Sequence, residues 1–159
     1  MGQSPTITDT MEAHALEAVN LAQATAQQKL DFSEDSIKAV EKVLDGLHKS
    51  IPRDLQKIDS KGVAGHEVAD WVSNLYGAYI GEVMRRNIGG DWVVDDKMSP
   101  GTKIISFRIG HLQTCPSAKV YKRIINGSED DVWFYYRVLI ERHRKMAGTK
   151  YENTLPRPH

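Results

Sequence analysis

Glu82 is the carboxylate whose setting in this sequence most suits chemistry. It follows Gly81 inside an apolar stretch, with Arg85 and Arg86 three and four residues on, neighbours on one helical face. An unpaired buried charge is costly, so two readings stand. One is an intrahelical ion pair that orders the end of a helix. The other is the floor of a polar pocket closed by Trp92 and Lys122, in which burial would have to tune Glu82 for work as a general base. Cys115 is the lone cysteine and stands just before Pro116. That places it at the N-cap of an expected helix, where the dipole favours a thiolate and Lys119, one turn on, would add to the effect. A reactive thiol is one reading of Cys115; a small half-buried side chain at a strand–helix junction is the other.

Other signatures fail. His66-Glu67-Val68-Ala69-Asp70 begins like a zinc-protease helix but carries Asp70 where a second histidine is required. The histidines at 14, 48, 66, 111, 143 and 159 are scattered, and a single cysteine excludes a site of several thiolates. Asp91, Asp95, Asp96 and Ser99 lack the spacing of a calcium loop and read as solvated turn residues. No glycine-rich phosphate loop or nucleophile elbow is present. No metal and no cofactor is therefore expected.

The elements that must hold these residues follow from periodicity. The segment from about Thr10 to Leu30 favours a helix with an alanine-rich stripe of Leu16, Val19, Ala22, Ala26 and Leu30. Ser33 caps a second helix, with Phe32 and Ile37 at staple spacing and Ile37, Val40, Leu44, Leu47 and Ile51 on one face, ending near Ser50. A long helix from about Gly65 to Ile88 is apolar on several sides, which predicts a central position. Its small-residue patch of Gly77, Ala78 and Gly81 predicts close approach of another backbone, and Gly89-Gly90 ends it. Trp92–Val94, Lys103–Ile109 and His111–Thr114 read as a small antiparallel sheet, the first two joined by a Ser99-Pro100-Gly101 turn. Pro116 opens a helix that buries Ala118, Tyr121, Ile124 and Ile125 and stops at Asn126-Gly127. Ser128 caps the last helix, whose Trp133–Tyr136 run is partly core, with Arg142, Arg144 and Lys145 near its C-terminus.

The expected fold class is α+β: one mostly helical domain over residues 10–146, with a small antiparallel sheet between the central helix and two C-terminal helices. Residues 1–9 and 147–159 read as loose ends. No apolar run spans a membrane, and the N-terminus lacks the pattern of a signal peptide.

Lys+Arg and Asp+Glu balance at 21 each, which argues against a general nucleic-acid binder. The balance hides an asymmetry: residues 1–75 carry a net charge of −5 and residues 76–159 carry +5. Arg85, Arg86, Lys119, Lys122, Arg123, Arg142, Arg144 and Lys145 could form a basic face for an acidic protein partner.

Gly77-Ala78-Tyr79-Ile80-Gly81-Glu82, with Gly89-Gly90-Asp91-Trp92 after it, resembles a group of uncharacterised bacterial domains with a GAYxGE…GGxW core. Leu30–Ser33 and Lys119–Gly127 are also similar to that group. The resemblance implies a shared fold and a bacterial, cytoplasmic setting, and transfers no catalytic residue. The expected function is a non-enzymatic protein-binding module, immunity-type or adaptor, that uses a basic, aromatic C-terminal half. The candidate ligand- or partner-binding residues are Glu82, Arg85, Trp92, Lys122 and Arg123. The alternative is a small ligand-binding domain or enzyme around Glu82.

Overall fold

The computed structural model describes residues 4–51, 64–95 and 104–154. Among them are five α-helices and one three-stranded sheet: α1 (Ile7–Ala26), α2 (Ile37–Ser50), α3 (Ala64–Asn87), β1 (Asp91–Asp95), β2 (Ile104–Ile109), β3 (Leu112–Thr114), α4 (Pro116–Asn126) and α5 (Val132–Thr154). The fold is a mostly helical α+β domain, as the periodicity predicts. The Ser99-Pro100-Gly101 turn lies outside the described residues.

α1 starts earlier than its composition suggests. Thr6 accepts the Asp9 backbone N–H and Asp9 accepts that of Thr6, a reciprocal cap that secures the first turn. Gln27, left-handed at φ 51°, ends the helix four residues short of Asp31. The buried stripe is Met11, Ala15, Ala18 and Ala22; of the expected stripe Ala22 and Leu30 are buried, Val19 and Ala26 are half-buried against the core and Leu16 is exposed. The alanines let α1 lie close against α3, where most of its contacts fall.

Ser33 caps as expected, through a 3-10 turn at Glu34–Ser36 that leads into α2. Phe32 is held at φ 63° by the Tyr79 hydroxyl, which accepts its N–H at 2.8 Å, and by its ring against Tyr79. α3 is the central helix: Leu75, Tyr76, Ala78, Tyr79, Ile80, Val83 and Met84 are all buried, and α1 and α4 pack on it. The glycine patch admits two different neighbours. At Gly77 a Cβ would meet the Ser117 backbone at 2.6 Å, so α4 makes the expected backbone approach there. At Gly81 the neighbour is the Trp92 indole, a side chain rather than a backbone. Val68 and Trp71 at the start of α3 remain 59% and 51% exposed.

The sheet is antiparallel in the order β1-β2-β3, with Trp92 opposite Phe107. The two rings meet edge-on at 5.2 Å and close the core beside α3. α4 buries Pro116, Val120, Arg123, Ile124 and Ile125, whereas Ala118 faces out. Ser128 begins a separate 3-10 turn. The cap of α5 is Asp131, whose carboxylate accepts the Phe134 N–H at 2.8 Å. α5 continues to Thr154 rather than loosening at residue 147, so Arg142, Arg144 and Lys145 sit in mid-helix and not at its C-terminus.

Candidate functional site

The residues expected to act together separate into three places. The first is built on Glu82. Gly81 leaves room for the outer edge of the Trp92 indole against α3, and the indole N–H reaches Glu82 Oε2 at 3.0 Å. Arg85 donates to both carboxylate oxygens, at 2.7 and 2.8 Å, and its Nη2 also reaches Glu12 of α1 at 2.6 Å. Arg86 adds an ion pair at 3.6 Å while lying over the Phe32 ring. Glu82 is 0% exposed. Burial pushes its carboxyl up, but the bonds from Arg85 and Trp92 and the charges of Arg85 and Arg86 more than offset that and hold it below its ordinary value. The ion-pair reading is thus right and too small: the cluster also ties α3 to α1 and β1. The pocket reading is not what the geometry gives. Trp92 bonds to the carboxylate instead of roofing a cavity, and Lys122 lies exposed on α4 with its charge felt by Asp130. An anionic carboxylate saturated by donors is a poor general base.

The second place is Arg123. Expected on a basic surface, it is 1% exposed. It donates to Glu41 at 2.8 Å through Nε and to Asp45 at 2.8 Å through Nη2. Glu41 also accepts the Val132 N–H, so one acid on α2 positions both α4 and the start of α5. The signal in the sequence was its place three residues after Val120 and beside Ile124, on the buried side of α4. Arg85, 29% exposed, and the buried Arg123 both have their charges engaged by acids of the same chain, and of the expected contact residues Lys122 alone is exposed.

The third place is Cys115. It is half-buried at the N-cap of α4, and its thiol faces the Ile105 carbonyl at 3.6 Å. Lys119, expected to support a thiolate, is paired instead with Asp130 at 2.8 Å.

What does remain open is the outer side of α5. Phe134 is 64% exposed. With Leu112, Tyr135, Leu139, Lys119 and Arg142 it lines a shallow hollow of about 350 Å³ between α5 and β3. The Tyr135 hydroxyl and Thr114 hydroxyl bond at 2.6 Å across that junction, and burial pushes the phenol up to about 12. On the other flank Arg137 and Lys38 lie over the Trp133 ring. The sequence pointed to this run of aromatics and cations without telling which ring faces out.

Among the described residues no three His, Cys, Asp or Glu side chains gather around one metal position, and no helix is long and apolar enough to cross a membrane. No protein-family model, no curated protein and no solved structure matches the chain.

Proposed function

We propose that the protein is a non-enzymatic protein-binding module that receives an acidic partner segment on the outer face of α5. The observation that carries this reading is the exposed Phe134 ring at the mouth of the α5–β3 hollow, rimmed by Arg142. A large exposed aromatic beside an arginine is the composition of an interface hot spot. Arg142 makes no ion pair among the described residues. Its charge is free to meet a carboxylate. An immunity-type or adaptor protein in the bacterial cytoplasm is the concrete form, in keeping with the GAYxGE…GGxW resemblance.

The test compares capture from native-host lysate by the parent protein and by three variants: Phe134→Ser, Arg142→Glu and, as a control on another helix, Leu16→Ser. A stoichiometric protein held by the parent and by Leu16→Ser but lost from the other two supports the reading. A partner retained by all four overturns it.

A further inference from the structure

We infer, resting on that reading of α5, that the α5–β3 hollow takes an extended acidic segment as a fourth strand, paired through its main chain with β3. In the order β1-β2-β3, β3 is an edge strand. Side chains alternate across a strand, so a hollow on one face of β3 would meet only alternate residues. This hollow is lined by Leu112, Gln113 and Thr114 in succession, so it runs along the open edge. Its other wall is one face of α5, through Phe134, Val138 and Arg142.

The register fixes what that edge offers. Ile109 pairs with Leu112 across the Gly110-His111 turn, and Phe107 pairs with Thr114. Antiparallel pairs alternate between hydrogen-bonded and not, and the pair that closes a two-residue hairpin is bonded. Arg108 and Gln113 are therefore the unbonded pair, and the Gln113 N–H and C=O point away from β2. Among the described residues neither group has a hydrogen-bond partner. The Gln113 side chain turns instead to Asp95 of β1, at 3.5 Å. What Gln113 presents to the hollow is one main-chain donor and one acceptor, spaced for a neighbouring strand. A helical segment would keep its own N–H and C=O groups for itself and leave those of Gln113 unpaired beneath it.

Charge names the occupant. The cations lining the hollow are Lys119 and Arg142, and no Asp or Glu lines it. Lys119 is held by Asp130, so Arg142 is the cation left to meet a carboxylate on the segment. Leu112, Phe134 and Leu139 offer apolar surface to the side chains on its inward face. Pairing with Gln113 holds any extended main chain, and the carboxylate and apolar contacts select among sequences.

The probe is an array of capped hexapeptides of Val, Thr and Ile carrying one or two Asp or Glu residues at varied positions, with lysine counterparts, read by fluorescence anisotropy. Acidic members should bind the parent about tenfold more tightly than their lysine counterparts, and Arg142→Glu should remove that preference. Gln113→Pro deletes the outward N–H without breaking a bond to β2 and should weaken acidic binding about fivefold, whereas Gln113→Ala should not. Methylating one backbone amide of the best peptide should weaken it as much, and methylating the two amides beside it should not. That arm decides the matter if Gln113→Pro fails to fold. Acidic peptides lost from Arg142→Glu but insensitive to Gln113→Pro, or to methylation at every amide, overturn the strand pairing and leave the α5 reading standing. An array with no acidic preference overturns the pairing as well, and lysate capture by Phe134→Ser and Arg142→Glu then judges the α5 reading by itself.

Discussion

Two buried ion clusters hold this molecule together, and they are near mirror images in charge. At Glu82 a single acid, wholly enclosed, is surrounded by Arg85, Arg86 and the Trp92 N–H. At Arg123 a single cation, almost as enclosed, is held by Glu41 and Asp45. The charged partners reach water to a similar degree in both clusters: Arg85 and Arg86 are 29% and 38% exposed, Glu41 and Asp45 16% and 37%. The difference lies in Trp92, a buried neutral donor whose N–H has no counterpart at Arg123. Removing the central charge should therefore cost more at Glu82, where the stranded groups cannot all rehydrate, than at Arg123, where both acids can.

The largest expected effect comes from prying the first cluster open without touching its charges. Gly81→Leu drives a side chain into the Trp92 ring and pulls the indole from Glu82. A loss of about 4 kcal/mol in chemical denaturation is expected. A melting curve that overlays the parent's would show that Trp92 is not anchored there. Glu82→Gln comes next, at about 3 kcal/mol, and Arg123→Met below it, at about 2 kcal/mol. If the order of these two is reversed, the stranded Trp92 N–H is not what separates the clusters.

Acid sharpens the comparison. The Glu82 carboxyl is held below its ordinary value of 4.5 in the folded chain. Its stabilisation is complete above the unfolded value and is lost as pH falls through the folded one. Glu82→Gln should flatten the loss of stability below about pH 4.5. Arg123→Met should leave more of that slope in place. Asp45 is lowered first by its bond from Lys49 and only then by Arg123, and the lowered Asp130 owes its shift to Lys119 and Asn126, against burial. Equal acid slopes in the two variants would place the titration elsewhere. The smallest effect on stability belongs to Phe134→Ser, within about 0.5 kcal/mol, because the ring it removes is already in water. A larger loss in denaturant would mean that Phe134 packs against the fold and is no docking residue.

Much of the framework was legible in the residues. Ser33, Pro116, Gly89-Gly90 and Gly127 punctuate the chain where they should, since caps and left-handed stops are local chemistry. The small-residue patch on α3 announced close packing. The site was less legible. Glu82, Arg85 and Trp92 do meet, but in a structural clamp. Arg123 was misplaced because a long cation on an amphipathic helix reads the same whether it meets water or two acids from another helix. The hollow between β3 and α5 left no trace in spacing, since its walls come from separate elements with α4 between them in the chain.

By itself the sequence determined the helices, their ends and the change of period at the sheet, because hydrophobic periodicity and capping act within a few residues of chain. It also determined that buried charges would need partners. Only the tertiary structure decided which charges those were. A guanidinium and a carboxylate far apart in sequence become neighbours through helix packing alone, and that packing turned Arg85 and Arg123 to acids of other helices, left Arg142 and Phe134 outside, and kept the edge of β3 open beside them.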